Sequence, residues 1–179
     1  MLMTAFCFSQ EDRPSLQIGL TGLPIFYLNG NFIVDSPGID GFATYFTIGQ
    51  FVSKNIVLGG RPFVGSVNGF TSIGGNAYSR YYFGSKKSRA FLDANVGFGK
   101  IWFAPNGELQ FFNRDALNGN LFNFAVGPGM DFHLKNDFYI EVMVQYLQME
   151  NLSNNFGGFI GETIIPSIGV VKYFKSSEI

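Results

Sequence analysis

The residues best suited to do chemistry are charged side chains inside a strongly patterned stretch, residues 120–148. The stretch has two arms separated by a short polar break. If the arms pair around that break, Asp131 lies directly opposite Glu141. Two carboxylates side by side in a medium of low dielectric constant repel each other unless cations intervene. Arg61 and Arg80 are the available partners, so we expect a buried network of ion pairs.

The same stretch alternates strictly between two kinds of side chain. A period of two predicts β-strands, and the short break Lys135–Asp137 predicts a hairpin. Both arms are longer than the strands of most globular proteins. One face of the first arm is small or polar, and the other is large and apolar: Phe122, Phe124, Val126, Pro128, Met130, Phe132 and Leu134.

The spacing of aromatic residues on the apolar face matches the thickness of a lipid bilayer. Phe122 and Phe132 are ten residues apart, which is about 33 Å along a strand. With a tilt of about 40°, their vertical separation is about 25 Å, the height of the apolar band on outer-membrane barrels. One face of the hairpin is therefore predicted to contact lipid, and the other a packed polar interior.

The composition excludes several classes of protein. Of 179 residues, 46% are hydrophobic and only 14% are charged, well below the quarter that is usual in soluble domains. A net charge of −1 leaves no basic footprint for nucleic acid. No run of about 18 apolar residues is present, so a helical membrane span is not expected. One cysteine and one histidine predict neither an internal disulfide nor a metal cluster, and we expect no cofactor.

The alternation continues along the chain and predicts an all-β fold, an eight-stranded antiparallel up-and-down transmembrane β-barrel. Long loops are predicted at 29–41, 66–75, 104–119 and 150–158, with short turns between them. This pattern places both chain ends and all short turns on one side, which is periplasmic in outer-membrane barrels. The predicted strands are residues 16–28, 42–52, 56–65, 76–83, 89–103, 120–134, 138–148 and 159–174.

The two ends of the chain are assigned separately from the barrel. Residues 1–10, MLMTAFCFSQ, look like the end of a secretory signal. Their apolar run is short and no basic segment precedes it, so we assign them to a truncated signal, with a simple apolar tail as the alternative. We assign residues 11–174 to the barrel and residues 175–179 to a C-terminal tail.

Four predicted strands carry a proline near the middle, on the outer face. Proline lacks the N–H that a sheet ladder needs and usually occurs at edges or bulges. A closed barrel has no edges, so we expect bulges or bends at these positions. The four residues are Pro24, Pro62, Pro128 and Pro166.

Three features give the chain a resemblance to known proteins. They are Arg80–Phe83 before a lysine-rich turn, Gly127–Gly129 in strand six, and a closing strand, Ile164–Phe174, that ends in an aromatic residue. With these features the sequence resembles the small outer-membrane β-barrels of Bacteroidetes-type bacteria and is broadly similar to OmpA-like and OmpW-like barrels. The resemblance implies insertion by the barrel assembly machinery and contact with outer-membrane lipids and lipopolysaccharide. Lys175–Ile179 depart from the pattern, because such barrels often end on the aromatic residue.

In such a barrel the inward-facing charged residues are Arg61, Arg80, Asp93, Asp131 and Glu141. Arg80 is assigned to the lumen because an outward arginine at mid-bilayer would cost about 2–4 kcal/mol. Eight strands leave an interior just wide enough for side chains, which favours a plug of ion pairs. A gated path for protons or solutes is the alternative.

No catalytic signature is present, and we predict that the protein is not an enzyme. His133 lacks the serine that follows two residues later in lipid A deacylase barrels, because Lys135 stands there. The longest loop carries Phe111, Phe112 and Arg114, which could contact an extracellular ligand or fold over the barrel mouth.

Four functions follow from these observations. The favoured one is a structural or interaction barrel that acts through its extracellular loops. The alternative is a narrow pore or transporter for small or hydrophobic solutes. A lipocalin-like carrier would need an apolar lumen and a polar outer wall, the reverse of strands five to seven. A lipid-modifying enzyme would depend on His133.

Overall fold

The chain folds into a closed barrel of eight antiparallel strands. The computed structural model describes residues 14–24, 41–67, 70–84, 88–103, 119–152 and 158–175. Each strand pairs with its neighbour in sequence, and the last strand pairs with the first. The predicted all-β, eight-stranded antiparallel barrel is confirmed. The strands are β1 (Pro14–Pro24), β2 (Gly41–Phe51), β3 (Ile56–Val67), β4 (Phe70–Gly84), β5 (Ser88–Phe103), β6 (Gly119–His133), β7 (Phe138–Asn151) and β8 (Gly158–Lys175).

Three short connections, residues 52–55, 85–87 and 134–137, mark one end of the barrel, which we call the turn-side rim. In the last of them, the N–H of Leu134 donates to the carbonyl of Phe138 at 2.9 Å. Asn136 and Asp137 have positive φ angles of 51° and 61°, a conformation that asparagine and aspartate tolerate. The polar break in the sequence is therefore a tight turn.

Side chains alternate between the lumen and the outer wall, as the period of two predicts. On β6, Asp131 is fully buried, whereas Phe132 is 44% exposed. On β4, Arg80 is fully buried and Tyr81 is 42% exposed, so the arginine does face the lumen. Large apolar side chains on the outer wall include Leu20, Phe46, Leu58, Ile73, Leu92, Phe98, Val142, Ile164 and Ile168.

The predicted loop at 66–75 is wrong. β3 continues to Val67 and β4 begins at Phe70, and these two residues are registered partners, so the connection is two residues long. The small residues serve packing instead of a loop. A Cβ on Gly74 would lie 2.4 Å from the carbonyl oxygen of Phe98 and 2.7 Å from the ring of Phe63. The predicted alternation of long and short connections therefore fails at this position.

The prediction of bulges at the mid-strand prolines is also wrong. Register shifts in the described ladders lie near strand ends, not at Pro62, Pro128 or Pro166. Pairing is interrupted between Pro62 and β2 and between Pro128 and β7, and the register continues unchanged on either side. On the other flank, Pro62 stays paired with Gly75 and Pro128 with Leu92. Since a proline lacks only one donor, each disturbs a single ladder.

Some predictions lie outside the described residues. β1 is described as far as Pro24, so its predicted extension to Leu28 is untested. β8 ends at Lys175, the first residue assigned to the tail. No helix within the described ranges is long and apolar enough to cross a membrane. Three further predictions concern residues outside the described ranges and stay untested. They are the signal-like segment, the tail at residues 176–179, and the loop residues Phe111, Phe112 and Arg114.

Two adjacent glycines on β3 test the packing of the lumen. A Cβ on Gly59 would lie 2.1 Å from the carbonyl oxygen of Ile48 and 2.6 Å from the ring of Tyr78, whereas Gly60 has nothing within 4 Å. Gly59→Ala should lower the free energy of unfolding by about 1–3 kcal/mol through overpacking. Gly60→Ala, the matched control, should change it by less than about 0.5 kcal/mol. Denaturant titration of the refolded proteins measures both, and equal losses would contradict the assigned faces.

Candidate functional site in the barrel lumen

Asp93 on β5 is fully buried and lies at the centre of a charged network. Arg61 from β3 donates to both of its oxygens, Nη1 to Oδ1 at 2.9 Å and Nη2 to Oδ2 at 2.7 Å. Arg80 from β4 donates through Nε at 2.9 Å, and Gln145 from β7 through Nε2 at 2.9 Å. A buried carboxylate is costly unless it is paired and hydrogen-bonded, and Asp93 meets both conditions.

The guanidinium of Arg80 joins Asp93 to a second carboxylate, Glu141 on β7. Its Nη2 donates to Oε1 of Glu141 at 3.1 Å, and its Nη1 donates to Oε2. The Nη1 group also donates to the hydroxyl of Tyr82 at 3.2 Å. The carbon at the centre of the guanidinium lies 3.9 Å from the ring centroid of Phe91. Arg80 thus has carboxylates at its edges and an aromatic face above it, and both kinds of contact stabilise a buried guanidinium.

Arg61 is held in a similar way. Its Nε donates to the hydroxyl of Thr47 on β2 at 3.2 Å. Its guanidinium carbon lies 4.5 Å from the ring centroid of Tyr78. With the two bonds to Asp93, each of its three nitrogens donates one hydrogen bond. This arginine therefore extends the network from β3 to β2 and β5.

Asp131 and Glu141 are registered partners across β6 and β7, as the hairpin predicts. They do not share an arginine. Glu141 binds Arg80, whereas Asp131 accepts a hydrogen bond from Nη2 of Arg89 at 3.1 Å and another from the hydroxyl of Tyr173. The expectation that Arg61 and Arg80 serve this pair is therefore confirmed for Arg80, which binds Glu141, and wrong for Arg61, which contacts Asp93 instead.

Arg89 is the charged lumen residue that the sequence reasoning missed. It lies on the same face of β5 as Asp93 and is the registered partner of Asp131. The alternation of side chains along β5 could therefore have predicted that Arg89 faces the lumen. Its guanidinium carbon lies 4.3 Å from the ring centroid of Tyr173, 4.6 Å from that of Tyr82 and 4.9 Å from that of Tyr139. Three tyrosines therefore surround this cation.

Two clusters of apolar side chains also occupy the lumen. One apolar cluster surrounds the charged network, with Tyr139 and Met143 on either side of Glu141 along β7. A second cluster lies further from the turn-side rim and contains Ala43, Ala125, Leu147 and Ile165. An eight-stranded barrel has room for this packing and little else.

The chemical capacity of the network is limited. Three arginines meet three carboxylates, and each carboxylate accepts hydrogen bonds from at least one of them. His133 lies at the end of β6 with its ring centroid 5.0 Å from that of Tyr139. Within the described part of the chain, no group of three or more histidine, cysteine, aspartate or glutamate side chains is placed to hold a metal ion. Each arginine and each carboxylate of the network is thus paired with a group of opposite charge.

Comparison with known proteins bears on the fold. The N-terminal β-barrel domain of Pseudomonas aeruginosa OprF superposes with a TM-score of 0.58 at 15% identity, covering 90% of this chain and 98% of that domain. Neisserial surface protein A (NspA) superposes with a TM-score of 0.63 at 11% identity, covering 89% and 97%. The fold is that of a small outer-membrane β-barrel. No protein-family model matches the sequence, and no curated protein sequence matches it.

The resemblance inferred from the sequence is therefore confirmed at the level of fold. At 11–15% identity, neither barrel assigns a ligand or an activity to this chain. Its charged lumen must be interpreted from its own residues.

A double-variant comparison tests the central ion pair. Arg80→Met should lower the free energy of unfolding by about 3–5 kcal/mol, because the Glu141 carboxylate is left buried without its cation. The double variant Arg80→Met/Glu141→Leu removes both charges and should recover most of this loss, since Asp93 keeps Arg61. Denaturant titration of the refolded proteins gives both values.

Arg89→Met is the matched control for the central pair. Arg89 makes one hydrogen bond to Asp131, and its side chain is 14% exposed, so its loss should cost less than that of Arg80. Equal losses for the two single variants, or no recovery in the double variant, would contradict the central role of Arg80.

Proposed function

We propose that this protein is an integral barrel of the bacterial outer membrane whose lumen is closed by side chains. It has no enzymatic activity and acts structurally, or through contacts made by its extracellular loops. The proposal rests on the polarity of the two faces of the barrel wall. Apolar side chains cover the outer face and ion pairs lie in the lumen, which is the reverse of a soluble barrel.

The charges on the outer wall support a membrane location. On β8, Glu162 and Lys172 both face outward, and the outward residues between them are Ile164, Pro166, Ile168 and Val170. Ten residues of a strand span about 33 Å, or about 25 Å vertically at a tilt of about 40°, the height of a lipid-facing band. The two charges on this strand therefore bracket a belt that fits the hydrocarbon core.

Aromatic side chains lie at both borders of the belt. Phe98 and Phe122 contact each other near one border, with ring centroids 5.3 Å apart. Tyr81 and Phe83 contact each other at 4.7 Å near the turn-side rim. Trp102, also exposed, lies beyond Phe98 on β5. Paired aromatic girdles are typical of barrels that span the outer membrane.

The packed lumen favours a closed barrel over a pore. The central arginines and carboxylates are mutually paired and come from four strands, so an open path would require several buried ion pairs to separate. A narrow pore or transporter for small or hydrophobic solutes is the alternative. It would need a second arrangement of Arg61, Arg80, Asp93 and Glu141.

The extracellular loops are the proposed contact surface. We place the turn-side rim and both chain ends in the periplasm, because the short turns of outer-membrane barrels are periplasmic. β5 ends and β6 begins on the opposite side, where lipopolysaccharide or an unidentified extracellular ligand would be met. The sequence between these two strands contains Phe111, Phe112 and Arg114. Insertion would depend on the barrel assembly machinery.

Two measurements test the closed-barrel proposal. After refolding in detergent, an intact barrel should migrate differently on a gel before and after heating, because the closed sheet resists the detergent until it is boiled. In planar bilayers the same protein should give no steady conductance. Stable channels would overturn the plug and favour the narrow pore. Solubility of the folded protein without detergent would overturn the membrane assignment.

A charge placed in the belt provides a graded test. Val144 lies midway along β7 and is 44% exposed on the outer wall. Val144→Arg should lower the free energy of unfolding in bilayers by about 2–4 kcal/mol, the cost of an arginine at the bilayer midplane. Gln148→Arg, on the same face nearer the border, should cost no more than about 1 kcal/mol. Similar small losses for both variants would place β7 outside a bilayer.

A further inference from the structure

Lys172 on β8 faces outward at the border of the apolar belt nearest the turn-side rim. Its ammonium lies 4.5 Å from the ring centroid of Phe174 and 5.3 Å from that of Phe138. In the sheet it is registered with Phe138 on β7 and with Ile18 on β1. The cation is thus positioned by two aromatic rings and flanked by apolar side chains.

No anion in the described part of the chain pairs with this charge. Within the described ranges, none of the ion pairs includes Lys172. Contact with aromatic faces stabilises an ammonium by about 0.5–1 kcal/mol at exposed sites, but it leaves the donors of the ammonium unused. An anion that approaches from the membrane side can accept them.

The two ends of the barrel differ in charge. At the turn-side rim, the described turns carry two exposed cations, Lys54 and Lys135, and one half-buried acid, Asp137. Among the described residues at the opposite border, two carboxylates face outward, Glu150 and Glu162, and one cation does, Lys100. Lipid headgroups that carry a phosphate and no cation therefore fit the turn-side rim better than the opposite border.

We propose that Lys172, held between Phe138 and Phe174, binds the phosphate of an anionic phospholipid, and that Lys54 and Lys135 extend this basic rim. The proposal rests on the membrane function proposed above and deepens it, because it assigns the turn-side rim to a phospholipid leaflet. Juxtamembrane lysines attract anionic headgroups by the same interaction.

Fluorescence quenching tests the site directly. Trp102 is the sole tryptophan of the chain, so the variant Trp102→Phe/Phe138→Trp moves the fluorophore to Lys172 and keeps an aromatic face beside it. The variant is refolded into phosphatidylcholine vesicles that contain either brominated phosphatidylglycerol or brominated phosphatidylcholine. Quenching should give a relative binding constant that is about fivefold in favour of the anionic lipid, the effect of one lysine near an anionic surface.

Variants of the two outward lysines provide the controls. Lys172→Met in the reporter should bring the ratio to about one, and Lys172→Arg should retain the preference. Lys100→Met, at the opposite border, should leave the ratio unchanged. A ratio near one in the reporter itself, or a preference that survives Lys172→Met, would overturn the lipid site. Absence of heat-modifiable migration in the unsubstituted protein would instead overturn the membrane function.

Discussion

The lumen depends on one constraint: the carboxylate of Asp93 is removed from water and must find all of its partners within the barrel. Arg61, Arg80 and Gln145 satisfy it from β3, β4 and β7. These strands are not all neighbours in the sheet, so the network ties opposite walls of the barrel together. The same constraint applies to the other buried charges nearer the turn-side rim. Each of them is paired with a neighbour of opposite sign: Glu141 with Arg80, and Asp131 with Arg89.

The close packing of this interior explains the unusual composition. Large aromatic and charged side chains point inward from some strands, so the strands that face them need glycine. A Cβ on Gly49 would lie 1.9 Å from the hydroxyl oxygen of Tyr78, and one on Gly129 would lie 2.2 Å from the ring of Phe91. The wall therefore contains many glycines because large aromatic and charged side chains occupy the lumen beside them.

Much of this fold follows from the sequence, because the pleat of a strand fixes which residues share a face. Alternation correctly assigned Arg80 to the lumen and placed Asp131 opposite Glu141. It could not predict that Arg61 meets Asp93, because that contact depends on the stagger of strands that are not adjacent in sequence. The start of β4 was missed since Gly74 and Gly75 suggest a loop, whereas the barrel uses them as strand residues.

Closure of the barrel has a consequence for the order of folding. Seven of the eight strand pairings join neighbours in sequence, but β1 and β8 meet across most of the chain, and Ser15 donates to the carbonyl of Phe174 over 159 residues. The entropic cost of closing a loop rises with its length, so hairpins can form early and the β1–β8 seam last. Pro14 and Lys175 are registered neighbours at that seam. A circular permutant that joins them would turn the slowest contact into a local hairpin and move the late step to whichever turn is opened.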